Sequence, residues 1–469
     1  MRHPARIAVV GGGIAGLAAA LRLRDRAPGG TRITVYEQST APGGKLRTGA
    51  LAGSTVELGA EAFLMRDVSG DAESAAVVLA HRVGLADDLV HPEPVGAALA
   101  LDGVLRPIPD GTLMGVPGDL DLVTAVARPA PDADRDGGHP LLAPDEDVAV
   151  GALVRRRLGD EVVDRLLEPL LGGVYAGRAD QLSLAATMPG LAAACRTQHT
   201  LTGAVRAALA ASPRRPGDPV FATVAGGVTR LVDAVAAAAR AELRLGLPVR
   251  ELARVGTGWR LTVGATRGPV HDTADAVLLA VPARPAARLL AVVNPDAAAD
   301  VGVLDYASVA LVTLALPGAA LPNLSGLLVP AVEGTAVKAA TFFTRKWAHL
   351  RRSDGVALVR ASVGRYGEEA VLQRPDDSLV TLVHSELSEM VGPLPDPAGA
   401  VVQRWGGALP QYAPGHLDRV ERVRAALAAD HPTLALAGAA YDGVGVAACV
   451  RSGEAAAEEI IKALGESGA

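Results

Sequence analysis

The sequence is short of several features that define common protein classes. It has only two cysteines, Cys195 and Cys449, in 469 residues, and they form no C-x-x-C pair. Neither a disulfide framework nor a thiolate metal site is therefore expected. The formal net charge is only −6, and without a basic excess no nucleic-acid partner is expected. The first residues run directly into a strand pattern without a secretory signal, so we expect a cytoplasmic location.

Long uninterrupted apolar runs are also scarce. The one stretch that could mimic a membrane span, Tyr306 to Val332, is uncharged, but Pro317, Pro322 and Gly326 interrupt it. We predict a buried strand over Ser308–Leu316, then a turn and a second short strand. Peripheral contact with a membrane stays open.

The length of the chain calls for more than one core. Three separated segments, 1–85, 218–285 and 431–469, combine apolar β-branched runs with Gly-rich turns, which predicts one discontinuous α/β nucleotide-binding domain. Residues 86–217 have helical spacing and are expected to form a helical insertion, with an irregular, mobile stretch over 128–147. Residues 286–430 alternate strand-like and helical runs, which predicts a substrate domain with a mixed sheet.

The N-terminal segment carries a G-x-G-x-x-G motif between a strand and a helix. An apolar strand, Ile7–Val10, leads into Gly11-Gly12-Gly13-Ile14-Ala15-Gly16 and a helix from Leu17. Gly11 permits the tight turn, Gly13 lets a pyrophosphate approach the backbone, and Gly16 lets the helix pack on the strand. The N–H groups at the start of that helix attract phosphates. The motif therefore predicts a bound dinucleotide.

Two further features concern the kind of dinucleotide. A second strand, Ile33–Tyr36, ends at Glu37, whose carboxylate is placed to accept ribose hydroxyls and disfavours the 2′-phosphate of NADP. Downstream lies a second glycine pair with a basic residue, Gly43-Gly44-Lys45. This pair suits a ligand that continues past the pyrophosphate, which favours FAD over NAD.

These residues resemble the amine oxidase-type flavoprotein superfamily, and the resemblance implies further flavin contacts. The run around Val249 resembles the superfamily's second adenine-side element. Tyr441–Val446, before a helix that we predict over Gly453–Leu464, resembles its flavin-closing motif. Trp405 matches a position near the flavin. Two departures are Gly59-Ala60-Glu61, which lacks a proline, and Val446-Ala447, which also lacks one. The predicted FAD contacts are Gly11, Gly12, Gly13, Ile14, Ala15, Gly16, Glu37, Gln38, Gly44, Lys45, Gly59, Ala60, Glu61, Ala62, Val249, Trp405, Val444, Gly445 and Val446.

The two insertions show which family within this superfamily the sequence resembles. Glu168–Ser183, Leu105–Pro109, Gly326–Pro330 and Lys346-Trp347 look like the protoporphyrinogen and coproporphyrinogen oxidases of haem synthesis, with the bacterial Gram-positive type the most similar. This resemblance extends over essentially the whole chain. It implies oxidation of coproporphyrinogen III to coproporphyrin III, with three molecules of oxygen reduced to hydrogen peroxide, and a downstream chelatase as a possible partner.

The hard chemistry of such a reaction belongs to the flavin, so no catalytic side chain is predicted. No metal cluster is predicted either. A substrate with four propionates calls for cations around apolar walls. Arg66 sits where the family carries a basic residue near the substrate, and Tyr175, Arg178 and Lys338 are further candidates. Each could also be explained as a surface charge, a core residue or a salt-bridge partner.

Other functions remain open at this point. Protoporphyrinogen IX oxidation is the nearest alternative. An amine oxidase or a carotenoid desaturase would share Gly11–Lys45 but not Glu168–Ser183. A flavin-binding partner in the haem pathway without turnover is a third alternative, of a different class.

Overall fold

The computed structural model describes residues 4–67, 72–211 and 217–466. The outer limits of the predicted domains, residues 1–3 and 467–469, lie outside this range. One five-stranded parallel sheet joins the three segments that were predicted to share a domain. Across the sheet its strands are Glu242–Arg244, Arg32–Tyr36, Arg6–Val10, Ala276–Leu279 and Leu434–Leu436.

Helices cover both faces of this sheet, which explains why its central strands are continuously apolar. Against one face pack the helices Ile14–Arg26, Ala75–Arg82, Thr229–Ala239 and Val446–Glu466. Against the other pack Ala283–Leu290, Pro295–Gly302 and His416–Asp430. These last three helices lie almost entirely within residues 286–430, which were predicted to form the substrate domain. More of the chain therefore packs on the nucleotide-binding sheet than expected.

The second sheet is mixed and has seven strands. In order these are Gly399–Gln411, Asp305–Pro317, Val356–Val363, Val337–Phe342, Gly326–Leu328, Ala97–Leu101 and Val104–Pro107. The helix Asp376–Val391 covers one of its faces. The predicted strand, turn and second strand within 306–332 are confirmed. The strands over 97–107 are a correction, because this part was expected in the helical insertion and instead completes the sheet.

The rest of the first insertion is largely helical. Its helices are Val150–Leu158, Asp160–Val162, the π-helix Val163–Leu167, Glu168–Tyr175, Leu184–Thr187, Pro189–Cys195 and Leu201–Ala211. The stretch 128–147 is irregular, as predicted. Its Asp134 accepts hydrogen bonds from the N–H groups of Leu201 and Thr202 at 2.7 and 2.8 Å, so it caps the start of the last helix.

Smaller elements complete the structure. The remaining strands are Thr48–Leu51 with Ser54–Glu57, Phe63–Leu64 with Phe221–Val224 and Leu89–Val90, Thr112–Leu113 with Val116–Pro117, and the sheet Val249–Val255, Gly258–Val263 and Val270–Ala274. Short helices lie at Ala86–Asp88, Asp121–Val123, Ala179–Gln181, Ala331–Glu333, Phe343–Lys346, Ala348–Leu350, Glu369–Gln373 and Ala439–Asp442. Within the described ranges, no helix is both long and apolar enough to cross a bilayer.

Candidate functional site

The glycines of the first turn have two different roles. Gly11 has a φ of +111°, and a Cβ atom there would lie 2.4 Å from the carbonyl oxygen of Ala280. A Cβ on Gly16 would lie 2.0 Å from the carbonyl oxygen of Gly11. Both positions therefore exclude side chains on packing grounds. A Cβ on Gly13 would meet no heavy atom within 4 Å, so this glycine leaves open space in front of the helix N-terminus.

The carboxylate of Glu37 is buried and held in place by protein donors. Its Oε2 accepts a hydrogen bond from the Gly12 N–H at 2.8 Å, and its Oε1 accepts from Ser39 N–H and Oγ at 2.8 and 2.7 Å. An ionised carboxylate has about four acceptor positions. It can therefore still accept ribose hydroxyls, and it is oriented toward the glycine turn before any ligand binds. The neighbouring Gln38 is exposed.

The segment that leads to Val249 is tied to the end of the same strand. The N–H of Leu247 donates to the Glu37 carbonyl at 2.9 Å, and the N–H of Gly246 donates to the Ser39 carbonyl at 2.8 Å. Val249 then begins its strand, half-buried. The predicted adenine-side element therefore lies next to the predicted ribose-binding carboxylate.

The second glycine pair lies directly on the first turn. The Gly43 N–H donates to the Gly12 carbonyl at 2.8 Å, and a Cβ on Gly44 would lie 3.3 Å from Gly13 Cα. The Lys45 ammonium follows, half-buried, and burial lowers its pKa. A partly desolvated cation beside open backbone N–H groups is suited to an anion such as a pyrophosphate.

The next predicted contact segment, 59–62, crosses from this turn to the seven-stranded sheet. The Ala60 N–H donates to the Lys45 carbonyl at 3.0 Å, and the indole N–H of Trp405 donates to the Leu58 carbonyl at 2.7 Å. A Cβ on Gly59 would lie 2.0 Å from the Lys45 carbonyl oxygen. Ala62 packs with a small apolar cluster beside it. Trp405 is therefore placed against the segment that was predicted to contact the flavin.

Glu61 forms a buried ion cluster that sequence reasoning did not find. Its carboxylate pairs with both Lys346 and Arg360. Burial alone would raise the pKa of Glu61, but the two cations outweigh it, and the pKa lies below its ordinary value. The guanidinium of Arg360 also donates to the carbonyls of Glu57 and Gly59, at 3.2 and 2.8 Å. Arg360 thus holds the whole segment onto the substrate sheet.

The C-terminal segment supplies a second helix N-terminus. Gly443 and Gly445 have φ angles of +110° and +103°, and a Cβ on Gly445 would meet no heavy atom within 4 Å. The helix begins at Val446, and the Cys449 N–H donates to the Gly445 carbonyl at 3.1 Å. The three preceding N–H groups, from Val446 onward, are therefore available to a ligand. The helix starts earlier than the predicted Gly453.

A network of hydrogen bonds holds this C-terminal turn in place. Ser452 Oγ accepts from the Gly438 N–H at 2.8 Å and donates to Asp442, which is also held by both terminal nitrogens of Arg424 at 2.9 and 2.6 Å. A Cβ on Gly453 would lie 2.0 Å from the carbonyl oxygen of Ala15. The first and last helices therefore cross in close contact. Val446 packs in the same apolar cluster as Ile14 and Ala15, whereas Val444 packs against the helical insertion.

Two of the predicted substrate residues have different surroundings, one exposed and the other buried. Arg66 is half-exposed at the end of the strand Phe63–Leu64 and lies 3.6 Å from Asp218. Tyr175 is buried at the end of its helix and packs edge-to-face on Tyr412, with ring centroids 5.8 Å apart. Burial raises the pKa of Tyr175 to about 12, so its hydroxyl stays protonated at neutral pH.

The other two each contact the helix Glu168–Tyr175. Arg178 pairs with Glu168 at 3.3 Å and with Glu368. Lys338 is only 6% exposed, and its ammonium donates to the Gly172 carbonyl at 3.4 Å. Arg178 is therefore neutralised by the protein, whereas Lys338 is not.

The residues present fit a bound FAD. Open space lies in front of two helix N-termini, at Gly13 and Gly445, where N–H groups and the helix dipoles favour phosphate oxygens and electron-rich carbonyls. The fixed carboxylate of Glu37 lies at the first of these turns and suits a ribose, and the half-buried ammonium of Lys45, next to the second glycine pair, suits a pyrophosphate. Ile14 and Ala15, also predicted contacts, begin the first of these helices.

Comparisons with known proteins agree with this geometry. The family model for flavin containing amine oxidoreductases matches residues 14–461. The coproporphyrinogen III oxidase of Mycobacterium tuberculosis is 39% identical over 467 residues, which cover 98% of both chains. That of Bacillus subtilis is 29% identical over 484 residues, again 98% of both chains. A crystal structure from Exiguobacterium, assigned as a protoporphyrinogen oxidase, superposes with a TM-score of 0.84 at 32% identity, covering 98% of this chain and 99% of the other.

The family match spans nearly the whole chain, and the residues that build the open cradle are those predicted from the sequence to hold FAD. The expected Rossmann-like domain with a mixed-sheet substrate part is confirmed. The chain therefore belongs to the flavin-containing amine oxidoreductase family and is an FAD-dependent oxidoreductase related to the porphyrinogen oxidases.

Proposed function

We propose that this enzyme oxidises coproporphyrinogen III to coproporphyrin III in haem biosynthesis. The observation that carries the proposal is the likeness, over 98% of both chains, to relatives named coproporphyrinogen III oxidase. Six hydrogens leave the porphyrinogen, and three molecules of oxygen become three of hydrogen peroxide. When bound, FAD supplies the electron transfer itself.

The chain's own groups bind and orient the reactants. We assign the N–H groups of the helix that begins at Val446 and the indole of Trp405 to the ring system of the flavin. Glu37 and Lys45 fix the other end of the cofactor. No side chain has to act as a strong acid or base, because the pyrrole N–H protons can leave to solvent as electrons are withdrawn. Positioning and exclusion of water are the tasks left to the protein.

We further propose Arg66, Tyr175, Arg178 and Lys338 as residues around the substrate. Arg66 lies at a half-exposed position, which suits a cation that meets the propionates at the entrance. Arg178 holds two carboxylates and is better suited to shaping the site than to binding an anion directly. Oxygen as acceptor, transfer of the product to a chelatase, a cytoplasmic location and peripheral membrane contact all stay part of this proposal.

The test is an activity measurement on the purified, flavin-loaded protein. It should convert non-fluorescent coproporphyrinogen III into fluorescent coproporphyrin III and consume three molecules of oxygen for each product molecule. The likeness to the Exiguobacterium structure favours protoporphyrinogen IX as the second candidate substrate, so the two rates are compared. A yellow protein that leaves both porphyrinogens unchanged would refute the oxidase function and favour a non-catalytic flavin-binding partner.

A variant at Arg66 tests the entrance residue. Arg66→Ala should raise KM for the four-propionate substrate more than for the two-propionate one, because it removes a charge that meets the additional carboxylates. Arg26→Ala is a matched control, since Arg26 is 61% exposed on the first helix of the FAD-binding domain. Equal effects of Arg66→Ala on both substrates would remove Arg66 from propionate binding.

A further inference from the structure

Lys338 is a buried cation that has no carboxylate partner among the residues the structure describes. Its residue is 6% exposed, and the one hydrogen bond of its ammonium is the 3.4 Å contact with the Gly172 carbonyl. Across the described part of the chain, no carboxylate lies within 4.0 Å of its Nζ. A buried charge without a partner is strongly unfavourable, and proteins usually pair it or replace it by an apolar group.

The groups around Lys338 make its unpaired charge still more unfavourable. Arg365, 8% exposed, lies beside it and donates to the carbonyls of Thr335 and Val329 at 2.7 and 3.1 Å, with Glu368 4.0 Å away. Arg360 adds a third positive charge nearby. Together with burial, Arg365 and Arg360 lower the pKa of Lys338 to about 8. The ammonium therefore remains protonated at neutral pH, in a field of its own sign.

The nearby carboxylates are engaged elsewhere. Glu168 accepts from Arg178 at 3.3 Å and from the Ala179 N–H at 2.7 Å, and burial raises its pKa. Glu368 pairs with Arg178. Glu386 accepts from two backbone N–H groups of the segment before Lys338, at 3.0 and 2.8 Å. None of these three carboxylates neutralises Lys338, so its ammonium is open to an anion from outside the protein.

The structure leaves room for the head of such an anion and for little more. A pocket of about 20 Å³ is bounded by Lys338, Arg365, the turn Gly172-Gly173 and Glu168, whose carboxylate is held by Arg178 and the Ala179 N–H. This volume holds roughly one or two water-sized groups. Gly173 is exposed, so the pocket opens at the end of the helix. A carboxylate on a flexible arm fits this description, whereas a macrocycle does not.

We propose that Lys338 binds a propionate arm that coproporphyrinogen III carries and protoporphyrinogen IX lacks, and so determines which porphyrinogen is preferred. The inference rests on the proposed function. Coproporphyrinogen has propionates on all four pyrroles, whereas protoporphyrinogen has vinyl groups on two of them. A vinyl group at this pocket would leave the buried ammonium unpaired, and a site built for a polar group strongly rejects an analogue that lacks it.

The experiment compares kcat/KM for both porphyrinogens in the flavin-loaded wild type, Lys338→Met and Lys338→Arg. Methionine keeps the length of the side chain and removes its charge. We expect Lys338→Met to lose roughly 10- to 100-fold in kcat/KM for coproporphyrinogen, mainly through KM, and to change by less than about 3-fold for protoporphyrinogen. Lys338→Arg should keep part of the preference. Lys462→Met, at a lysine side chain that is 77% exposed on the last helix, controls for the exchange itself.

Three outcomes separate the possible failures. If the wild type oxidises neither porphyrinogen, the proposed function fails. If the wild type is active and Lys338→Met affects both substrates equally, or neither, only the inference on Lys338 is wrong. The pH profile gives an independent check: KM of the wild type for coproporphyrinogen should rise above about pH 8, as the ammonium loses its proton, and KM of Lys338→Met should not follow this rise. Flavin absorbance and thermal melting verify that each variant is folded and loaded.

Discussion

Replacement of Lys338 by methionine should make the protein more stable while it impairs substrate selection. Burial and two neighbouring guanidinium groups lower the pKa of Lys338 from 10.5 to about 8. This difference corresponds to about 3 kcal/mol of destabilisation at pH 7, because the unfolded chain holds the proton more tightly. Loss of the weak bond to the Gly172 carbonyl offsets about 1 kcal/mol of the gain. A net gain of about 2 kcal/mol is expected.

The pH dependence of this gain has a defined sign. Below pH 8 both the folded and the unfolded wild type are protonated at Lys338, so the penalty is present in full. Between about pH 8 and 10.5 the folded protein releases the proton first, and the wild type gains stability relative to the variant. At pH 9.5 the electrostatic part of the difference should fall to about 1.4 kcal/mol. Other titrating groups are the same in both proteins and cancel.

The assay is thermal melting of the flavin-loaded wild type and Lys338→Met at pH 7 and pH 9.5. With an entropy of unfolding of roughly 2 cal/mol/K per residue, a gain of 2 kcal/mol raises Tm by about 2 °C for a chain of this length when it melts as one unit. A variant that melts below the wild type at pH 7, or a difference that grows with pH, would refute the reasoning. Either result would mean that the protein itself provides Lys338 with a counter-ion.

Two further predictions concern the cofactor cradle and its support. Gly13→Val should abolish FAD binding, seen as loss of flavin absorbance per protein, and keep a native circular dichroism spectrum, because its side chain fills only ligand space. Gly16→Val should instead unfold the protein, because its Cβ would lie 2.0 Å from the Gly11 carbonyl oxygen. Equal behaviour of the two variants would contradict this division. Arg360→Met should lower the free energy of unfolding by about 3 to 5 kcal/mol, since it breaks a buried ion cluster, and should speed FAD release; unchanged stability in urea unfolding would show that Lys346 alone satisfies Glu61.

Local patterns in the sequence predicted the first half of the cofactor site. The strand before Gly11, the helix after it and the acidic residue at the end of the second strand are specified within about 35 residues, where the period and the glycine positions permit few alternatives. The carboxylate of Glu37 then accepts the Gly12 N–H as part of the same turn. Such features can be read from a sequence because all the partners are neighbours along the chain.

The strands over 97–107 show why a local signal can be insufficient. Asp102-Gly103 joins them in a two-residue turn, with φ angles of +53° and +71°, and an Asp-Gly pair between alternating apolar residues is a strong hairpin signal. The sequence does not say where the hairpin goes. It pairs in parallel with Gly326–Leu328, more than 200 residues away, and only the tertiary structure places it in the substrate sheet.

The start of the last helix illustrates the opposite error. The sequence predicts this helix from Gly453, although glycine is unfavourable inside helices. The structure begins this helix at Val446 and keeps Gly453 inside it, because a Cβ there would collide with the Ala15 carbonyl. A glycine lowers the stability of the helix, but it is required here because two helices cross in close contact. A single sequence does not show where such a crossing occurs.

The partly or fully buried cations around the seven-stranded sheet differ in their partners. Arg360 and Lys346 enclose Glu61, and Arg178 lies between two carboxylates. These cations balance charges of the protein and hold the flavin-binding segment and the helical insertion against the sheet. Sequence patterns could not separate them from Lys338, because all four are basic residues in ordinary contexts. The difference appears only when each charge is matched with its counter-ion. Among the described residues Lys338 has no carboxylate partner, and the nearest carboxylate to its neighbour Arg365 is Glu368 at 4.0 Å, which already pairs with Arg178. This unpaired ammonium, kept at the expense of stability, is the feature on which the proposed propionate contact rests.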